Sequence, residues 1–155
     1  MGEIQIRTAG IEDLPHVLRQ RRLMFEEIGW KDECVLDRMD SASREYLEEA
    51  IPNGVYRAWL AETNQGQVVS GGGIALVPWP GSPEFPTPRR GWILGIYTEP
   101  DYRRKGIARQ IMDTILAWCR AEKFGYVSLH ASKHGRALYE KMGFAPTNEM
   151  RIYLK

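Results

Sequence analysis

Residues 96–108 read Ile-Tyr-Thr-Glu-Pro-Asp-Tyr-Arg-Arg-Lys-Gly-Ile-Ala, and this stretch decides how the rest of the chain is interpreted. The apolar segment Trp92–Thr98, which leads into it, predicts a strand that ends at Pro100. Beyond it, apolar residues recur at helical spacing from Ile107 to Cys119, so an amphipathic helix is expected to run to about Glu122. The stretch is therefore predicted to be a turn that joins a strand to a long helix.

The composition of this turn suits an anion. The first turn of a helix exposes unpaired backbone N–H groups and carries about half a positive charge from the helix dipole. Together these features make a site for a diphosphate. Gly106 lets the backbone approach such a ligand closely, and the side chains of Arg103, Arg104 and Lys105 add attraction. On these grounds alone, the alternative is an exposed basic turn before an ordinary surface helix.

Two motifs of the chain resemble those of a known family. The pattern Arg-x-x-Gly-x-Ala at 103–108 resembles the acyl-CoA signature of the GCN5-related N-acetyltransferase (GNAT) superfamily. The segment Leu-Tyr-Glu-Lys-Met-Gly-Phe at 138–144 is similar to the second signature of that family, at a typical distance. The resemblance implies a mixed α/β acyl-CoA N-acyltransferase fold, in which helices flank a central, mostly antiparallel mixed sheet. It also implies one N-acetyltransferase domain over residues 1–155.

The resemblance further implies how acetyl-CoA is held. The strand at 96–98 would pair through its main chain with the pantetheine arm, as an added β-strand does. Backbone amides at 103–108 would receive the pyrophosphate, and Ser132 falls where many members carry an asparagine that faces the coenzyme. Tyr139 matches the tyrosine that protonates the leaving thiolate. The residues expected to bind the coenzyme are Ile96, Tyr97, Thr98, Arg103, Arg104, Lys105, Gly106, Ile107, Ala108 and Ser132.

The acceptor is expected to be a primary amine of a small molecule or peptide. The resemblance places it beside the first two helices and the loop before the central strand, here Met24–Trp30 and Val77–Arg90. Acidic residues in the first segment would attract a cationic amine, unless they are ordinary surface charges, and aromatic residues in the loop would supply apolar contacts. The expected contact residues are Glu26, Glu27, Trp79 and Phe85.

The amine is expected to attack the thioester directly in a ternary complex. Neither Cys34 nor Cys119 sits in a motif that would activate it as a nucleophile. The general base stays open, because the strand Trp92–Thr98 contains no carboxylate or histidine. The candidates are Glu26, Glu27, Glu99 and Glu149. The alternative function is a non-catalytic acyl-CoA sensor or interaction module. The presence of Tyr139 favours an enzyme over this alternative.

Hydrophobic periodicity predicts the remaining elements in the order β-α-α-β-β-β-α-β-α-β, a mixed α/β domain. Helices are expected from Ile11 to Gly29, from Leu36 to Ala50, and over Gly135–Met142. Further strands are expected over Glu3–Arg7, Val55–Ala61, Val68–Val77, Tyr126–Ala131 and Met150–Leu154.

Composition excludes several other classes. Among the 155 residues, 21 Lys and Arg oppose 20 Asp and Glu, so no basic excess favours nucleic acid. No apolar run approaches the roughly 20 residues that span a bilayer, and the N-terminus lacks a signal-peptide pattern. We therefore expect a cytoplasmic protein with free thiols and no membrane partner. His130 and His134 lack a third ligand nearby, so no metal is expected. The oligomeric state stays open, with a homodimer among the alternatives.

Overall fold

A five-stranded sheet in the order β1-β2-β3-β4-β5 runs through residues 2–154, which the computed structural model of the chain describes. The first four strands are antiparallel neighbours, and β5 runs parallel to β4. The predicted mixed, mostly antiparallel sheet is thereby confirmed. The strands are β1 (Ile4–Thr8), β2 (Tyr56–Thr63), β3 (Val68–Pro78), β4 (Arg89–Thr98) and β5 (Ser128–Leu129).

Four α-helices accompany the sheet. They are α1 (Leu14–Ile28), α2 (Glu33–Ala50), α3 (Ile107–Ala121) and α4 (Arg136–Lys141). The helix α1 ends at Gly29, which adopts a φ of 123°, as the sequence predicts for a glycine at this position. The Asp32 carboxylate accepts a hydrogen bond of 3.2 Å from the Val35 amide and so caps α2. The helices α1 and α2 cover one face of the sheet, and α3 covers the other.

The alternation of side chains along β2 divides the core between these two faces. Tyr56, Ala58 and Leu60 belong to the cluster under α1 and α2, whereas Trp59 and Ala61 belong to the cluster under α3. The cluster under α3 is closed to solvent because that helix presents an unbroken apolar stripe to the strands. Its most buried members are Ala61, Val69, Ile74, Ile111, Met112 and Ile115.

Two sequence predictions near the C-terminus are wrong in the structure. The strand expected over Tyr126–Ala131 is reduced to Ser128–Leu129, because β5 leaves β4 after two paired residues. The segment Met150–Leu154 forms no strand, and its apolar side chains are 80–94% exposed. Alternating apolar residues form a strand only where a ladder partner and an apolar surface are available. Within residues 2–154, no strand pairs with this segment.

Candidate functional site

The sheet opens where β4 and β5 separate. Their ladder consists of Trp92 opposite Ser128 and Ile93 opposite Leu129. On its other side β4 carries one extra residue relative to β3, and the bulge includes Gly95 with a φ of 71°. From Gly95 to Thr98, the edge of β4 that faces β5 has no ladder partner in the described chain. This edge can therefore accept an extended ligand as an added strand.

The free edge of β4 leads to the turn before α3. Arg103 is extended, whereas Arg104 and Gly106 adopt positive φ angles of 61° and 79°. When the sign of φ alternates along the backbone, successive N–H groups point into one concavity, and such a concavity suits an anion. No side chain caps the first amides of α3, and a Cβ on Gly106 would meet no described atom within 4 Å. The turn thus presents unpaired donors and a helix N-terminus to open space.

Two basic side chains of the turn hold it in place. The Arg103 Nε donates to the Thr98 carbonyl oxygen at 2.8 Å, and its Nη2 donates to Glu27 Oε1 at 2.6 Å. Lys105 Nζ donates to the Asp101 carbonyl oxygen at 2.7 Å. Arg103 therefore ties the turn both to the end of β4 and to the end of α1. The anion-binding capacity of the turn then rests mainly on its main-chain amides and the helix dipole.

Tyr139 lies on α4 and is 9% exposed. Its ring packs edge-on against Phe144, with the centroids 5.9 Å apart, and belongs to the same buried cluster as Ile107 and Ile111 of α3. Within residues 2–154 its hydroxyl makes no hydrogen bond. Burial raises the pKa of Tyr139 above the ordinary tyrosine value, so the hydroxyl keeps its proton at neutral pH. Tyr139 therefore remains available as a proton donor.

Ser132 serves the helix that carries Tyr139. The Ser132 hydroxyl accepts a hydrogen bond from the Gly135 amide at 3.1 Å, and its carbonyl oxygen accepts one from the Arg136 amide at 3.0 Å. A Cβ on Gly135 would come within 2.8 Å of the Tyr139 ring. Ser132 and Gly135 thus fix the start of α4 and the place of the tyrosine ring.

Each carboxylate named as a candidate base already has a cationic or imidazole partner. Glu26 accepts from Arg22 Nε at 3.0 Å, Glu27 pairs with Arg103 and Glu99 pairs with Arg19. Glu149 lies 2.5 Å from His130 Nε2 and also pairs with Arg151. The hydrogen bond with His130 lowers the pKa of Glu149. Burial, and then the charges of Glu99 and Glu27, raise the pKa of Tyr97, so these two acids both lie near this residue of β4.

The two aromatic residues expected near the acceptor occupy different environments in the loop between β3 and β4. Phe85 is buried and packs against Phe124 and Tyr126, with ring centroids 5.3 and 6.1 Å apart. Trp79 is 43% exposed, and the guanidinium carbon of Arg90 lies 4.2 Å from its ring centroid. Phe85 therefore supports the loop, whereas the ring of Trp79 is partly accessible.

A cavity of about 380 Å³ lies between α1, α2 and the sheet. Its wall includes Gly95, so it reaches the bulge of β4 from the face opposite α3. The polar lining residues are Gln20, Arg21, Ser43, Tyr46 and Tyr56, and the principal apolar ones are Val17, Met39, Leu47, Leu60 and Leu94. Sequence reasoning missed this cavity, because its walls come from separate elements. Val17, Gln20 and Arg21 stand at i, i+3 and i+4, and this spacing is the local signal that these three side chains share one helix face.

A sheet that splits beside an anion-ready helix N-terminus, with a cavity on its other face, can hold an extended anionic ligand and a second, smaller ligand side by side. The model of the acetyltransferase (GNAT) family matches residues 20–144, and the chain belongs to this family. The protein is accordingly an acyltransferase, and its fold is the GNAT fold.

Solved structures agree with this assignment. A GCN5-related N-acetyltransferase from Ralstonia eutropha JMP134 is 33% identical, with a TM-score of 0.91 over 98% of this chain and 99% of that one. A protein from Clostridium acetobutylicum, described as a predicted acetyltransferase with acetyl-CoA, is 27% identical, with a TM-score of 0.87 over 98% and 96%. Glucosamine-6-phosphate N-acetyltransferase from Arabidopsis thaliana shares the fold, at 17% identity and a TM-score of 0.65 over 99% of both chains.

No curated protein matches the sequence. Among the described residues, no helix is long and apolar enough to cross a membrane. The same part of the chain contains no group of three or more histidine, cysteine, aspartate or glutamate residues placed to hold a metal ion.

Proposed function

We propose that the protein transfers the acetyl group of acetyl-CoA to a primary amine of a small molecule or peptide, in a ternary complex. One observation carries the proposal. The free edge of β4 runs from the anion-ready turn before α3 to the bulge at Gly95, where the cavity on the opposite face begins. A thioester placed along this edge would meet an acceptor from the cavity at Gly95.

The coenzyme is proposed to lie along the free edge. Its pantetheine arm would pair with the main chain of Ile96, Tyr97 and Thr98. Its pyrophosphate would bind the amides of residues 104–108, because the Arg103 amide already donates to the Pro100 carbonyl oxygen at 3.2 Å. Ser132 is proposed to border the coenzyme, at the start of the helix that carries Tyr139. The αL geometry at Gly106 and the uncapped α3 N-terminus support this placement.

The chemical step requires little beyond positioning. The neutral amine attacks the thioester carbonyl carbon, a C–N bond forms, and the carbonyl oxygen becomes an oxyanion that an amide of β4 stabilises. The C–S bond then breaks, Tyr139 donates a proton to the departing sulfur, and the amine proton leaves through water to a base. Burial raises the pKa of Cys119 to about 11, so this thiol stays protonated and supports direct transfer over an acyl-cysteine intermediate.

Two measurements test this function. Calorimetry after treatment with a chelator should show binding of CoA, because the proposed coenzyme site consists of main-chain amides rather than metal ligands. Release of free thiol from acetyl-CoA should then depend on an added amine. Absence of CoA binding would contradict the coenzyme site. Binding without thiol release for any amine would instead indicate a non-catalytic acyl-CoA sensor.

We propose that two copies associate through the C-terminal segment 145–154. Met150, Ile152 and Leu154 alternate in this segment and are highly exposed, whereas the outer edge of β5 is open in the described chain. Exposed apolar side chains and open strand edges favour pairing with another chain. Light scattering should give a dimer mass for the native protein and a monomer mass for the Ile152→Lys, Leu154→Lys variant. A native monomer at micromolar concentration would contradict the proposal.

The compartment is proposed to be the cytoplasm. Cys34 is exposed and Cys119 is buried, and both are free thiols. Thiols of this kind persist in a reducing environment. Fractionation of the native host should recover the protein with the cytosolic markers, and recovery with a membrane or exported fraction would contradict this location.

A further inference from the structure

The cavity contains a buried amide that lacks a partner. Gln20 is 4% exposed, and its Nε2 makes no hydrogen bond within the described residues. The Oε1 of Gln20 lies against β3. A β-carbon placed on Gly71 of that strand would come within 2.3 Å of this oxygen. Buried polar groups are almost always hydrogen-bonded, so an unpaired donor in a cavity wall points to a ligand that accepts from it.

The cavity also contains an arginine without a carboxylate partner. The Nε of Arg21 donates to Ser43 Oγ at 3.0 Å, and its guanidinium carbon lies 5.1 Å from the Phe25 ring centroid. No ion pair joins Arg21 to an acid of the described chain, whereas Arg22 next to it pairs with four. The guanidinium is thus held in one place with donors free, which is the arrangement that binds a carboxylate.

A buried tyrosine lies between this arginine and the reaction site. A Cβ on Gly73 would lie 2.4 Å from the Tyr56 hydroxyl oxygen, and a Cβ on Gly95 would lie 3.5 Å from it. Burial raises the pKa of Tyr56 to about 12, and the charge of Arg21 is close enough to oppose that rise. The Tyr56 hydroxyl therefore stays protonated at the bulge, with Arg21 in its vicinity.

Ser43 and Tyr46 are the other polar residues of the wall, and the rest of it is apolar. Val17, Met39, Leu47, Leu60 and Leu94 supply most of the surface, and no carboxylate lines the cavity in the described chain. A polycationic amine would find no counter-charge here and would be repelled by Arg21. The volume of about 380 Å³ is near the lower end for ligand pockets, so a single small molecule fits better than a long polymer.

Resting on the acetyl transfer proposed above, we infer that the acceptor is a small amino carboxylate with an apolar side group, of the size of one amino acid. Its carboxylate binds the free N–H groups of Arg21, its apolar group fills the cavity, and Gln20 donates to its remaining acceptor oxygen. Its amine lies at Tyr56 and Gly95, next to the thioester. The amine loses one proton, an amide bond forms and CoA leaves as the thiol.

Matched acceptors test this inference. Thiol release is measured with leucine, with leucinamide and with 3-methylbutylamine, which share one apolar group and differ in the carboxylate. Lysine and kanamycin serve as cationic acceptors. We expect kcat/KM for leucine to exceed that for either analogue without the carboxylate by tenfold or more. Equal or better turnover of 3-methylbutylamine or kanamycin would overturn the inference while leaving acetyl transfer intact. Absence of thiol release with every amine would overturn both.

An arginine substitution separates carboxylate binding from coenzyme binding. Arg21→Gln should raise KM for leucine by tenfold to a hundredfold, leave the Kd for CoA unchanged, and abolish the preference over leucinamide. Arg44→Gln is the matched control, because Arg44 is an exposed arginine of α2 outside the cavity wall. An Arg21→Gln enzyme that still prefers leucine to leucinamide would contradict the assignment.

A second substitution distinguishes a binding role for Gln20 from a structural one. Gln20→Met keeps the length of the side chain and removes the unpaired donor. If Gln20 serves the ligand, this variant should keep or raise the Tm of the ligand-free protein while raising KM for the amino carboxylate several-fold. A lower Tm with unchanged KM would show that the amide is structural and would remove Gln20 from the site.

Discussion

The proposed coenzyme side and the proposed acceptor side of the molecule are built in different ways. Apart from Ser132 and Tyr139, the proposed coenzyme side consists of one continuous stretch, 95–108, which contributes a free strand edge, a turn of alternating hand and the start of α3. The acceptor side is a cavity whose walls come from α1, α2 and three strands. A ligand on the first side would meet mostly main-chain groups, whereas a ligand on the second would meet side chains that are distant in sequence. The first site depends on local backbone geometry, and the second depends on packing.

The largest expected effect comes from breaking the backbone site. Gly106→Glu places a carboxylate where the pyrophosphate is proposed to lie and strains a residue at a φ of 79°. We expect loss of detectable CoA binding by calorimetry in a protein that is still folded by circular dichroism.

A matched glycine separates strain from obstruction. Gly54 has a φ of 71°, and a Cβ placed on it, as on Gly106, would meet no described atom within 4 Å, but Gly54 lies between α2 and β2. Gly54→Glu should cost about 1 kcal/mol of stability and leave CoA binding intact. If the two variants bind CoA equally well, the pyrophosphate site is not at this turn.

The second effect concerns the proton donor on the coenzyme side. Tyr139→Phe keeps the ring and its packing but removes the hydroxyl. It should lower kcat by about tenfold to a hundredfold, since general acid catalysis contributes about 10²–10⁴-fold and a thiolate already leaves readily. The Kd for CoA should change little. Rapid-quench measurement of the chemical step, with Tyr126→Phe as the control, checks this expectation, and an unchanged rate would leave Tyr139 a packing residue.

The same tyrosine predicts a pH dependence. Because burial raises the pKa of Tyr139, the hydroxyl keeps its proton through the neutral range and loses it only above the ordinary value of about 10. The native enzyme should therefore retain the tyrosine-dependent part of kcat up to that pH and lose it above. A decline below about pH 9 that is absent in Tyr139→Phe would contradict this assignment.

The third effect tests how the acceptor side is held together. Arg7 donates to both carboxylate oxygens of Asp13, at 2.7 and 2.8 Å, and holds the pKa of this buried acid below its usual value. A lowered pKa stabilises the fold above the unfolded-state value of about 3.9, and that stability is lost as the pH falls further. Asp13→Asn should lower the free energy of unfolding by about 1.5–3 kcal/mol at pH 7.

Denaturant titration of both proteins at pH 7 and pH 3 measures this contribution. The difference between native protein and Asp13→Asn should shrink at the lower pH, because the Asp13 carboxylate of the unfolded chain binds a proton below about pH 3.9. A difference that is the same at both pH values would show that the carboxylate charge contributes nothing.

The smallest effects are expected at the four residues that the family resemblance assigns to the acceptor, none of which lines the cavity. Trp79→Ala and Glu26→Gln should change the apparent KM for the acceptor several-fold and leave the Kd for CoA nearly intact, as the family resemblance implies. Glu27→Gln also releases Arg103, and Phe85→Ala opens a buried cluster, so these two are informative only beside a stability measurement. Steady-state kinetics with both substrates varied checks the pattern. A change in the Kd for CoA without a change in the KM for the acceptor would assign these residues to coenzyme binding instead of acceptor binding.

The elements whose signals are local can be predicted from the sequence. The helices α1, α2 and α3, the β2–β3 hairpin and the glycine turn follow from periodicity and from glycine at positions of positive φ. The two motifs also identified the family, because a backbone site needs particular residues at fixed spacing in one stretch. These features depend on neighbours within a few residues, which is the range over which sequence patterns carry structural information.

Other features follow only from the way the elements pack together. The point where β5 leaves β4 and the missing partners of Arg21 and Gln20 are two of them. A third is that Glu26 pairs with Arg22 and Glu27 pairs with Arg103. An alternating pattern carries no information on the length over which a neighbouring strand pairs with it. The alternation at 126–131 and 150–154 therefore predicts more strand residues than the fold contains. The charge and shape of the cavity arise where side chains from separate elements meet. The packing of α1 and α2 on the sheet determines which of these side chains meet. The residues involved are too far apart in sequence for a local pattern to relate them.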